Sequence, residues 1–337
     1  MKSNDLSFVA VGGYRSSGGT AVLDILKEVE TYSVPNVEFR LFCDPYGLID
    51  LQTAIFERID PEKIDIACKD FLWLTENFFR TTKRFSKTGL HYEKHISPNF
   101  KKLSDEYINQ ISQFKYLMHW HILDFKKPFI KDMYHRYKKK ITSRFFDEEA
   151  YYCYPSLEEF YSITQNYLKK IFQNFSNQNK NVSNIALHNA IPYYNYNDVV
   201  KCLKYHKNFK AIIVDSDPRD IFLRLPVKGF SRYLNPNKTL QVENFINFFK
   251  ITRQSRDRLS NHPNIKLIML EDLVLNYKKT INSLFDFLNI DFKNHIYQKK
   301  YFDPSKSKNE IMLWKKISKN STVFKKIEKE LNQYLYL

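Results

Sequence analysis

The chain has 337 residues, a hydrophobic fraction of 43% and an aromatic fraction of 16%, which excludes a disordered polypeptide and leaves ample apolar surface for a core. Its formal charge is +16, and its four cysteines, Cys43, Cys68, Cys153 and Cys202, are scattered with no C-x-x-C pair, which speaks against a zinc ribbon or a disulfide framework and for a reducing compartment. No apolar run is long enough to cross a bilayer, so the sequence predicts a soluble, cytoplasmic protein.

The first predicted element is the apolar strand "LSFVAV", which runs into "GGYRSSGGT" and then into a helical pattern, "AVLDIL". Four of the seven glycines of the chain, Gly12, Gly13, Gly18 and Gly19, sit in this one turn. N–H groups at a helix N-terminus lack intrahelical acceptors and lie at the positive end of the dipole, so a glycine-rich turn leading into one can cradle an anion. Ser16, Ser17 and Thr20 add hydroxyls, and Arg15 adds a planar, permanently charged fork suited to phosphate or sulfate. The plainer alternative is a tight strand-to-helix turn in which glycine only relieves crowding. The Gly-Lys-Ser/Thr of a Walker loop is absent, which argues against a nucleoside triphosphatase or a P-loop kinase.

Next comes "VEFRLF", with Glu38 beside Arg40, and then a long, mostly helical insertion expected over 55–180. Ile64, Ala67, Cys68, Phe71, Leu72, Thr75, Phe78 and Phe79 keep the three-four spacing of a buried stripe, and further helices are predicted over Ser104–Phe125 and Ser156–Phe175. His119 and His121 on the first of these lack the spacing of a zinc pair, and Trp120 between them reads as a core aromatic or a sugar-stacking ring.

Three more β-like runs follow, "NIALHN", "FKAIIVD" and "NIKLIML", each trailed by a helical pattern. Such alternation predicts an α/β class with a parallel sheet flanked by helices, here as one domain over 1–337 that carries the insertion. Ligands gather at the carboxyl ends of parallel strands. One such end carries His188, which could take a proton near neutral pH or be a satisfied polar histidine. Another, "VDSDPRDIFLR", opens a helix with Asp217 as N-cap, Pro218 in the first position and Asp220 at the capping-box position, and adds Arg219 and Arg224. The tail, 293–337, holds eleven lysines against four acids. That excess suits an anionic partner, whether nucleic acid, membrane surface, polysaccharide or nucleotide, or else a solvated lysine face.

Taken in order, "GGYRSSGGT" resembles the 5′-phosphosulfate loop of the sulfotransferases, "IIVDSDPRDIFL" their 3′-phosphate loop, and "LIMLEDLVLNYKKTINSLFDFLNI" the strand, Glu-Asp-Leu and helix that follow in many members. "SKSKNEIMLWKK", with Lys308 and Trp314, resembles the basic closing segment that bacterial members place over the nucleotide. The resemblance implies a P-loop-like sheet and transfer of a sulfuryl group from 3′-phosphoadenosine 5′-phosphosulfate, leaving 3′,5′-adenosine bisphosphate, to a saccharide or lipid-linked saccharide, with no metal and no nucleic acid partner. It implies that Arg15, Ser16, Ser17, Gly18, Gly19 and Thr20 hold the phosphosulfate and that Ser216, Arg219 and Arg224 hold the 3′-phosphate. Lys308 and Trp314 would close over the nucleotide. Glu38 matches the catalytic glutamate of the carbohydrate-acting members, His188 is a second candidate base, and the basic surface is compatible with a peripheral contact at the inner membrane face. The chain departs from the family in two places. "RSSGGT" has one residue more than the usual loop, and Ser216 and Arg224 stand where the family has arginine and serine.

Overall fold

The computed structural model describes residues 6–79, 90–125, 133, 137, 148–178, 182–225, 239–316 and 322–336. Parts of the expected insertion, 80–89 and most of 126–147, and residues 317–321 of the basic tail lie outside these. The described strands are β1 (Ser7–Gly13), β2 (Tyr32–Ser33), β3 (Phe114–Met118), β4 (Glu148–Tyr152), β5 (Asn184–His188), β6 (Phe209–Asp215) and β7 (Ile265–Met269).

Five of them form one sheet in the order β2-β5-β1-β6-β7, and every pair is parallel. β1 is central, with Phe8 opposite Ile185 on one side and Phe209 on the other. A central parallel strand is covered on both faces, which is why "FVAV" is a continuous apolar run rather than an alternating one. The helix Thr20–Lys27 buries Ala21, Val22, Leu23, Ile25 and Leu26, and these join Val9, Val11, Ile212, Val214 and Phe285 in one core cluster. The four apolar runs read as strands are β1, β5, β6 and β7, and the α/β class holds.

The contacts divide the chain into two compact units, one of Met1–Cys43, His95–Ser97 and Phe172–Leu337, the other of Asp44–Lys94 and Pro98–Ile171. In the second unit the helix Pro61–Phe79 buries Ile64, Cys68, Phe71, Thr75 and Phe78 of the predicted stripe and Leu74 beside it, while Ala67, Leu72 and Phe79 of that stripe are half-buried. The helix expected over Ser104–Phe125 is a correction: the chain is helical over Phe100–Ile111, then forms β3, antiparallel to β4, and is helical again only over His121–Asp124. "FKYLM" is paired with a strand some thirty residues away, a partner that local periodicity cannot reveal. Trp120 donates to the buried Asp65 at 2.9 Å, which also receives Lys69 at 2.7 Å and the Tyr151 N–H at 2.9 Å.

In the sheet unit, the residue following the helix Thr20–Lys27 is the fully buried Glu28. Its carboxylate accepts the His295 imidazole at 2.8 Å and the N–H groups of Lys299, Tyr301 and Phe302 at 3.1, 2.8 and 2.9 Å. Glu28→Ala leaves several buried donors without an acceptor, at about 1–3 kcal/mol each, so a loss of roughly 3 kcal/mol or more is expected in urea unfolding. A loss under about 1 kcal/mol would mean that the segment is held by packing alone.

Candidate active site

The turn after β1 uses its glycines in two different ways. A Cβ on Gly12 would strike the Tyr193 ring, and one on Gly13 would strike the Ser17 hydroxyl and the Val214 carbonyl, so these two permit close packing. Gly18 is left-handed, φ 88°, where a side chain would be strained, and Ser16 is left-handed as well, φ 60°. Ser17 is a correction to the expected donor set: its N–H goes to the Tyr14 carbonyl at 2.9 Å and its hydroxyl to the Val214 carbonyl at 2.6 Å, and it is 1% exposed. It ties the turn to β6. The helix that follows has no side-chain cap and no acidic residue in its first turn, so its positive end is not neutralised locally.

On one side of the turn lies a cavity of about 520 Å³, lined by Arg15, Ser16, Gly13, Gly18 and Gly19, by Glu38 and Arg40, and by His188, Asn189, Tyr193 and Tyr194. Glu38 and His188 form an isolated parallel bridge, with the Phe39 N–H donating to the His188 carbonyl at 2.8 Å, so the segment after β2 extends the sheet past the end of β5. The Asn189 amide donates to Glu38 at 2.9 Å and receives the Tyr193 hydroxyl at 2.6 Å, and Arg40 stands 3.8 Å from the other Glu38 oxygen. Burial pushes the His188 imidazole below its ordinary value, against the opposing pull of Glu38, so the ring is held neutral.

A second cavity, of about 500 Å³, also touches Gly18 and Thr20 and is walled by Arg224, Leu270, Val274 and tail residues Tyr301–Asp303, Lys306, Asn309 and Leu313. At its edge Arg224 reaches back from the end of the helix Pro218–Arg224 to donate to the Ser216 hydroxyl, which itself donates to Glu271 at 2.5 Å. Glu271 also accepts the Asp217 N–H at 2.9 Å, is fully buried, and has its carboxyl pushed up by burial. Its other oxygen has no hydrogen-bond partner among the described residues.

Three expected contacts fall elsewhere. Arg219 is a correction: Nε and Nη2 donate to Asp217 at 2.9 and 2.6 Å, Nη1 donates to Glu328 at 2.9 Å, and its face is covered by the Trp314 ring at 3.5 Å. Its charge is committed to holding the tail. Trp314 is thereby placed on Arg219 and outside the lining of these two cavities, and Lys306 and Asn309 take the lining positions expected of Lys308, which is exposed. Asp217 caps its helix as predicted, accepting the Arg219 N–H at 2.8 Å. Asp220 does not close a capping box: it receives the Met312 and Trp314 N–H groups at 2.6 and 3.3 Å, while the Asp217 N–H goes to Glu271.

No protein-family model and no curated protein matches the chain. Among solved structures it is similar to the sulfotransferase STF9 of Mycobacterium avium, at 9% identity and a TM-score of 0.33, covering 87% of this chain and 66% of that one, just under two thirds. It is similar to a retinol dehydratase in complex with androsterone and the inactive cofactor PAP, at 11% identity and a TM-score of 0.35 over 97% and 80% of the two chains. A third likeness is to the sulfotransferase STF1 of Mycobacterium tuberculosis H37Rv, at 7% identity and a TM-score of 0.34 over 91% and 76%.

The sequence did not single out Asn189, Tyr193, Arg253 or Arg256, and it marked Glu271 only as the first residue of the Glu-Asp-Leu that follows β7. Arg253 and Arg256 clamp Asp215 at the end of β6 at 2.9 and 3.0 Å, with Arg253 also stacked 4.2 Å from the Tyr14 ring. "RQSRDR" is a visible cluster of basic residues, but only the packing shows that it faces a strand end. Asn189 carried a weak signal, since asparagine tolerates the left-handed φ of 51° that it adopts after β5.

Proposed function

We propose that the chain is a sulfotransferase that moves a sulfuryl group from 3′-phosphoadenosine 5′-phosphosulfate to a hydroxyl or amine of a saccharide or lipid-linked saccharide. The observation that carries this reading is that one glycine-rich turn, through Gly18 and Thr20, lines two cavities with different chemistry. The second cavity, with Arg224 at its edge, takes the nucleotide, and the N–H groups of Gly18, Gly19 and Thr20 receive the 5′-phosphate at the helix terminus. The first cavity, with Arg15, Glu38 and His188, takes the acceptor. Ser16 and Thr20 add hydroxyls beside the phosphosulfate, and Ser216 stands with Arg224 for the 3′-phosphate. The acceptor oxygen or nitrogen forms a bond to sulfur as the bond from sulfur to the phosphate oxygen breaks, and the acceptor proton passes to a base. Arg15 meets the charge that grows on the leaving phosphate oxygen. Glu38 is the base, held by the Asn189 amide, with the neutral His188 ring beside it.

Two measurements test this. Nucleotide titration in a thermal-shift assay should rank 3′,5′-adenosine bisphosphate above ATP and NAD, with roughly 2.7 kcal/mol of stabilisation at a hundredfold excess over Kd. Equal responses to all three would defeat the donor assignment. Glu38→Gln should lower kcat roughly a hundredfold, the usual scale for a general base, while leaving the Kd for the bisphosphate unchanged. An equal loss in both would make Glu38 a structural residue.

A further inference from the structure

The segment between the helices Tyr277–Leu288 and Pro304–Ser307 turns large apolar side chains outward. Phe292, Ile296, Tyr297 and Tyr301 are each 45–48% exposed within ten residues of chain. The segment is nevertheless firmly held. His295 and Phe302 point inward and are 5% exposed, the Glu28 carboxylate fixes the backbone at Lys299, Tyr301 and Phe302, and the Tyr297 N–H donates to the Glu28 carbonyl at 3.2 Å. The anchoring is polar and buried, with the Phe292 ring also packed 4.9 Å from that of the core residue Phe285, while Ile296, Tyr297 and Tyr301 turn outward. Four exposed apolar side chains on a fixed backbone point to a partner.

The charges around them indicate which one. Lys293, Lys299 and Lys300 are exposed on the same segment, and Lys300 lies 4.7 Å from the Tyr297 ring and 5.3 Å from the Tyr301 ring. The acids are few and already engaged: Asp291 pairs with Lys293 at 2.7 Å and Asp303 accepts the Ser305 N–H at 2.9 Å. From Asp291 to Lys316 there are seven lysines against three acids. A soluble polyanion would use the lysines and leave Phe292 and Ile296 in water. An anionic bilayer uses both, phosphate headgroups for the ammonium groups and the acyl boundary for the apolar side chains.

We infer that residues 291–303 are a docking surface for an anionic lipid bilayer, beside the mouth of the cavity that Tyr301 and Asp303 line. This stands apart from the donor reading, because binding is measured with no nucleotide present. The experiment is co-sedimentation of the full chain with phosphatidylcholine vesicles, with and without phosphatidylglycerol. Binding is expected only with phosphatidylglycerol and should weaken with salt. The triple variant Lys293→Gln, Lys299→Gln, Lys300→Gln should bind roughly a hundredfold more weakly, at about fivefold per lysine. Ile296→Ser with Tyr297→Ser should bind roughly tenfold more weakly with an unchanged melting temperature, which separates lost docking from lost folding. Absence of binding to phosphatidylglycerol vesicles overturns the inference. So does vesicle binding that the lysine variant loses and the Ile296, Tyr297 variant keeps, or capture of dextran sulfate with the same indifference to the apolar substitutions, because either outcome describes a plain polyanion site.

Discussion

Arg15→Ala is expected to lower the rate of sulfuryl transfer by roughly 10²–10³, the cost of removing one fixed donor from the place where charge develops in the transition state. The position of Arg15 makes the prediction selective. It lies at the exposed crown of the turn and lines the first cavity, whereas the residues that hold the turn together are Ser17, through Val214, and Gly12, packed against Tyr193. Removing the guanidinium therefore leaves the fold intact, and the melting temperature should stay near that of the parent. Arg15→Lys keeps the charge but loses the planar fork, so an intermediate rate is expected. Near-parental turnover in Arg15→Ala, measured with the donor saturating, would remove Arg15 from the chemistry.

The strands and the glycine-rich strand-to-helix turn were legible because their causes are local. A strand covered on both faces carries a continuous apolar run, and β1, β5 and β6 do, over 8–11, 185–187 and 211–214, while the edge strand β7 is apolar except for Lys266. The helix start at Asp217–Pro218 is likewise written in two adjacent residues. What remained hidden depends on atoms far away in sequence. Ser17 looks like a phosphate ligand until the Val214 carbonyl, 197 positions on, is seen to hold its hydroxyl. Arg219 looks like a 3′-phosphate ligand until Glu328 and Trp314 arrive from the tail. Asp220 matches a capping box, yet the Met312 N–H outcompetes that use. Residue type gives the bonding capacity of a polar side chain, and tertiary packing decides where that capacity goes.

Arg224→Ala is expected to weaken binding of 3′,5′-adenosine bisphosphate by about 2–5 kcal/mol, the cost of removing one partner of a desolvated charge pair, and so by more than tenfold at about 1.4 kcal/mol per decade. Ser216 and Arg224 are eight residues apart, about 12 Å along a straight helix. The arginine side chain spans that gap, folding back so that Nη2 donates to the Ser216 hydroxyl, and of the two it is Arg224 that lines the second cavity. The substitution also has a cost without ligand. Asp220, 3.9 Å from Arg224, and Glu271 are both fully buried, and burial already raises the carboxyl pKa of each, with Arg224 the opposing charge. Without the guanidinium these carboxyls rise further. A group whose folded pKa lies above its unfolded value loses stability as pH climbs from the unfolded pKa through the folded one, so Arg224→Ala should fall further below the parent at about pH 7 than at about pH 5. Affinity must therefore be measured on protein shown to be folded at the pH of the titration. The double exchange Ser216→Arg with Arg224→Ser returns a guanidinium to the same cluster from the strand side and should recover most of the affinity. Unchanged affinity in Arg224→Ala would leave the arginine as a buried counterion to Asp220 and Glu271 alone, whereas loss in the single variant with recovery in the exchange would locate the 3′-phosphate between those two side chains.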